Sequence, residues 1–109
     1  MAYDEKLAER IRGHMASIQD LVEKKMFGGI GFLIQGNMAC GVNGENLIVR
    51  VGPEQYEAAL KEPHVGQFDM TGRPMKGWVV VAPEGIATEA ELGSWIQRGV
   101  VIAQSLPEK

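Results

Sequence analysis

Apolar residues recur at steps of three and four near the start of the chain. Leu7, Ile11, Met15, Ile18 and Val22 fall on one stripe, which predicts an amphipathic helix over residues 4 to 22. Asp4 suits its N-cap, and Glu5 suits the positive end of the helix. The period then changes to two. Ile30, Phe32 and Ile34 alternate, as do Met38, Cys40 and Val42, and then Leu47, Val49 and Val51. Gly36-Asn37 and Asn43-Gly44 separate these runs as tight turns, so a three-stranded meander is expected. Ile48 and Arg50 must point away from Leu47 and Val49.

Gly52-Pro53 breaks the third strand and opens a short helix with Tyr56, Ala59 and Leu60 on its apolar side and Pro63 at its end. A loop through His64 and Gly66 leads to an extended piece around Phe68, and Gly72-Arg73-Pro74 reads as a turn. Lys76 to Ala82 is a strand whose Trp78-Val79-Val80-Val81 run is apolar on both faces. Such a strand is central, or it meets a partner. Thr88 and Glu91 form a capping box for a last helix with Leu92, Trp95, Ile96, Gly99, Ile102, Ala103 and Leu106 as its stripe. The order is α-β-β-β-α-β-β-α, an α+β class, in one domain over residues 1 to 109.

Composition narrows the function classes. The chain has 109 residues with 45% hydrophobic and 23% charged positions, enough for one core without staples. Cys40 is the single cysteine, so no disulfide can form within the chain, as suits a reducing cytoplasm. The N-terminus carries acids where a signal peptide would be basic and then apolar, and no run is long enough to span a bilayer. A net charge of -3 argues against direct nucleic-acid binding, which needs a basic footprint.

Catalytic and cofactor motifs are sparse. Gly28-Gly29-Ile30-Gly31 resembles a phosphate loop only superficially, because it runs into a strand and no Gly-Lys-Ser/Thr follows. A bulge or a close backbone approach explains it better. Cys40 shares its face with apolar residues and reads as a buried, inert thiol. Neither His14 nor His64 has a partner at zinc-ligand spacing, so no metal and no cofactor are expected. Asp69 reads as a turn-stabilising residue. The best contact group is Arg73, Lys76 and Trp78, with Lys25 and Phe27 next. The competing reading puts Trp78 in the core and leaves the cations solvated. Arg50 joins the group only if the sheet order brings it near.

Several segments resemble the N-terminal domain of the TfoX/Sxy competence-regulator family over nearly the full length. They are Ala8-Glu9-Arg10-Ile11, Lys25-Met26-Phe27-Gly28-Gly29, Gly36-Asn37-Met38, Leu47-Ile48-Val49-Arg50-Val51-Gly52, Phe68-Asp69 and Thr71-Gly72-Arg73-Pro74-Met75-Lys76-Gly77-Trp78. The resemblance implies a secretion-chaperone-like fold, with helices packed on an antiparallel sheet. It also implies a non-enzymatic, cytoplasmic bacterial module that regulates transcription through a protein partner. The best-known members are similar to co-regulators that act with the cyclic-AMP receptor protein, a transcription factor. They carry a further helical domain that is not expected after Lys109, so only the role of the N-terminal module carries over. A homodimer is a second expectation, because the Trp78 to Val81 run needs cover on both faces. A small-molecule or anion-binding domain, with enzymatic activity as an extension, is the alternative reading.

Overall fold

The computed structural model describes residues 3–26, 29–69 and 74–107, and of these the side chains of Met26, Asp69 and Pro74 lie outside the description. Phe27 and Arg73, and the turn expected around Gly72, fall outside it as well. Helix α1 spans Glu5–His14. Its N-cap Asp4 accepts hydrogen bonds from the Lys6 and Leu7 amides, which satisfies two of the orphan donors of the first turn.

Six strands follow in one antiparallel sheet: β1 Leu21–Met26, β2 Gly29–Ile34, β3 Asn37–Asn43, β4 Asn46–Arg50, β5 Val65–Asp69 and β6 Pro74–Val81. Their spatial order is β1-β2-β3-β4-β6-β5. The short helix α2, Tyr56–Leu60, lies between β4 and β5 in sequence, and a 3-10 turn, Pro83–Ile86, leads to α3, Glu89–Ser105. The α+β class and helix-on-antiparallel-sheet architecture match the expectation.

The sheet has one strand more than the periodicity suggests. The helix expected to reach Val22 ends at His14, and Leu21–Met26 pairs with β2 along its whole length. Val22 is 57% exposed rather than on the core stripe. The segment Leu21-Val22-Glu23-Lys24-Lys25-Met26 has no clean alternation, so its strand state comes from pairing with an apolar neighbour.

Alternate residues of the strands build one core face. Ile30, Phe32, Ile34, Cys40, Val42, Leu47, Val49, Val79 and Val81 share a cluster with Leu7 and Ile11 of α1, Tyr56 and Ala59 of α2, and Leu92, Trp95 and Ile96 of α3. All three helices therefore cover the same side of the sheet. Each large side chain buried there contributes roughly 1.5–3 kcal/mol of transfer free energy. Met38 departs from the alternation expected of it. The β2–β3 register shifts between Phe32 and Leu33, which sets Met38 opposite Leu33 and leaves Cys40 opposite Phe32. The bulge moves Met38 off the core face and adds Ala39 to it.

Two contacts hold α3 close. A Cβ added at Gly99 would lie 2.2 Å from the Ala39 carbonyl oxygen, so only glycine permits this approach. Asn37 is buried, and its Nδ2 donates to the Pro107 carbonyl at 2.8 Å, which ties the start of β3 to the chain beyond α3. The expected capping box is present. Thr88 Oγ1 accepts from the Glu91 amide at 3.1 Å, and the Thr88 amide donates to Glu91 Oε1 at 3.1 Å.

Candidate protein-interaction surface

Residues of the opposite parity form a sheet face that carries none of the three helices. Along β4 it presents Asn46, Ile48 and Arg50, and along β6 it presents Trp78 and Val80. Ile48 and Phe68 are buried yet stand outside the core cluster. Trp78, Val80, Leu33 and Met38 are half-buried. Lys24, opposite Gly31, extends the same face toward β1.

The centre of this face is an aromatic and cationic stack. Antiparallel pairing sets Arg50 opposite Trp78, and the Arg50 guanidinium carbon lies 5.2 Å from the ring centroid. Phe68 packs against the other flank of Trp78, with centroids 6.3 Å apart and planes tilted by 47°. A cation over an indole is worth about 0.5–2 kcal/mol, more as water is excluded. Sequence reasoning left Arg50 conditional on the strand order. The β4–β6 crossover supplies that condition.

Lys76 is exposed, two residues before Trp78. Strand parity alone does not put the two on one face, because Gly77 between them has φ +94 and interrupts the alternation. Its carbonyl accepts from both the Val51 and Gly52 amides, at 2.8 and 3.0 Å, as the strand pair comes to its end. Lys25 is exposed and stands opposite Ile30 on β1. Strands β2, β3 and β4 separate it from β6, so the structure does not bring Lys25 beside Trp78. Arg73 and Phe27 lie outside the described residues.

Phe68 was missed as a contact residue because a register shift between Gln67 and Asp69 hides the parity of β5. Ile48 was legible in principle, as the off-phase member of an alternating strand, and Val80 belongs to the run that is apolar on both faces.

The other reactive groups have structural surroundings. Cys40 is fully buried, and burial pushes its thiol up to about 12. Its sulfur lies 3.8 Å from Met15 Sδ. Glu89 joins α3 to α1, accepting from Arg10 Nε at 2.6 Å and lying 3.0 Å from His14 Nε2. The Arg10 hydrogen bond, and after it the His14 contact, hold the Glu89 carboxyl below the usual carboxylate range. Gly29 serves strand packing, because a Cβ there would meet the Val42 carbonyl oxygen at 2.0 Å. Among the described residues, no group of three or more His, Cys, Asp and Glu is placed to hold a metal ion. No described helix is long and apolar enough to cross a membrane.

A cleft of about 360 Å³ opens between the segment that follows α2 and helix α3, lined in part by Glu62, His64, Glu91, Trp95 and Arg98. Its charges answer one another, since Arg98 donates to both Glu62 oxygens, at 2.6 and 3.3 Å. Arg98 also sits over the Trp95 ring, 4.1 Å from its centroid.

Compared with known families, residues 14–103 fit the family described as TfoX N-terminal domain. No curated protein and no solved structure matches the chain.

Proposed function

The chain belongs to the TfoX N-terminal domain family, and on that premise we propose that it is a non-enzymatic, regulatory protein-interaction module whose contact surface is the helix-free sheet face. The partner class is that expected from the resemblance, a protein of the transcription machinery such as a transcription factor.

One observation carries this reading. Arg50 lies over Trp78 on a face with half-buried apolar neighbours and no covering helix. Tryptophan and arginine are the residues most enriched at binding hot spots, and a rim of near-neutral contacts around them excludes water. The exposed Lys76 extends the group toward Arg73 in sequence, and both belong to the proposed surface. Family membership adds weight, because the TfoX N-terminal domain is not a known enzyme family.

The test compares wild type with an Arg50→Gln, Lys76→Ala double variant in affinity capture from the native host's lysate. The expected result is a specific protein retained by the wild type and lost from a variant that still melts cooperatively. Equal retention by both proteins removes this face from the contact surface.

A further inference from the structure

The two arginine–tryptophan stacks of this protein differ in one respect. On the helix side, Arg98 lies over Trp95 and also grips the Glu62 carboxylate. On the sheet side, Arg50 lies over Trp78, and no described carboxylate accepts from it. Arg10 and Arg12 are likewise paired, with Glu89 and Glu23. Of the described arginines, Arg50 is thus the one without an acid. Its face carries Lys24 as well, and strand parity places none of the described carboxylates there. Among the described residues this face thus carries cations without an answering carboxylate, on a chain of net charge -3.

Beside the stack is a groove of about 400 Å³. Gly66 and Val80, which are paired across β5 and β6, form its floor, and Phe68 forms a wall. Asn46 stands at its rim with an amide group suited to a peptide backbone. Gly66 leaves the floor open: a Cβ there would meet nothing within 4 Å. Val80 follows Trp78 by two residues, so groove and stack lie about 7 Å apart along the strand. That is also the spacing of residues i and i+2 in an extended peptide.

The geometry points to an acidic, extended segment of a partner protein as the occupant of this face. It places a carboxylate on Arg50, completing the stack as Glu62 completes that of Arg98, and an apolar side chain two residues away in the groove over Gly66 and Val80. This rests on the reading of the helix-free face as the contact surface. A second copy of the chain fits less well, because a two-fold contact sets this face against itself and brings Arg50 and Lys24 of one copy toward the same cations of the other with no described carboxylate between them. A nucleic-acid strand also fits less well, since base stacking needs a free ring and Arg50 and Phe68 flank Trp78.

The experiment is an amide and indole NMR titration of the full chain. The probes are acetyl-Ser-Glu-Ser-Leu-Ser-amide and the same peptide with lysine in place of glutamate. The glutamate peptide is expected to shift the Trp78 indole and the Gly66 amide, and the lysine peptide to bind about tenfold more weakly or worse. Arg50→Gln should weaken the glutamate peptide by about tenfold or more. Gly66→Val should block it while leaving the protein folded, because the added side chain has room in the fold and occupies the groove. Equal response to both peptides, no shift on this face at millimolar peptide, or a stronger response to oligodeoxythymidylate overturns the proposal. So does a concentration dependence of the same resonances without peptide, which would show a second copy in the groove. Peptide failure beside an Arg50-dependent capture from lysate removes the acidic class alone. Failure of both experiments removes the interaction reading too.

Discussion

The guanidinium carbon of Arg50 stands 5.2 Å from the ring centroid of Trp78, on the side of the sheet that the helices leave uncovered. The two residues are 28 positions apart in the chain and become neighbours through the β4–β6 pairing. Because both are half-buried, their attraction contributes modestly to folding, about 1 kcal/mol. Arg50→Gln is therefore expected to lower unfolding free energy by about 1 kcal/mol or less in urea denaturation. A loss several times larger would identify Arg50 as a structural residue and weaken its assignment to binding.

Glycine positions separate close packing from open surface. Gly99→Ala drives a methyl group to 2.2 Å from the Ala39 carbonyl oxygen, so α3 must lift from β3. The expected cost is about 3 kcal/mol or more, read as a fall in the urea midpoint. Gly13→Ala is the opposite case. Gly13 lies in α1 with nothing within 4 Å of an added Cβ, and alanine should stabilise the protein by about 0.5–1 kcal/mol.

Glu89 gives a pH dependence with a defined sign. Its carboxyl is held below the ordinary value of 4.5, first by Arg10 and then by His14. In the window between the lowered folded value and 4.5, the unfolded chain binds more protons, so stability rises with pH. The contribution is fully present above 4.5 and is lost as pH falls through the folded value. The difference in melting temperature between wild type and Glu89→Gln should accordingly shrink as pH is lowered below 4.5. A difference that stays constant across that window would mean that the Glu89 charge does not couple to folding.

Cys40 should be silent to thiol reagents in the native state. It is fully buried, and its thiol is raised to about 12, so almost no thiolate is present at neutral pH. Ellman's reagent should label it only at the rate of global unfolding and promptly in denaturant. Rapid labelling of the folded protein would show that the core between α1 and β3 opens readily.

Much of this architecture was legible in local pattern. The alternation of Leu47, Val49 and Val51 marked the core face of β4, and all three are buried. Thr88 and Glu91 announced the start of α3, because a capping box needs only residues three apart. Asn43-Gly44 marked the β3–β4 hairpin, whose register closes at Asn43 opposite Asn46. The resemblance to the TfoX N-terminal domain rested on similar local segments, and the family match spans residues 14–103.

What the sequence determined by itself was the set of strong local signals: caps, turns, the period of each clear element, and a single inert cysteine. These depend on neighbours within a few positions, whose interactions the chain order already specifies. The tertiary structure decided what depends on remote partners. Strand β1 exists because Leu21–Met26 can pair with β2, although its own pattern is ambiguous. Met38 left the core face because a bulge opposite Phe32 and Leu33 reset the parity of β3. Arg50 reached Trp78 because β6 inserts between β4 and β5, a choice of strand order that no local periodicity encodes.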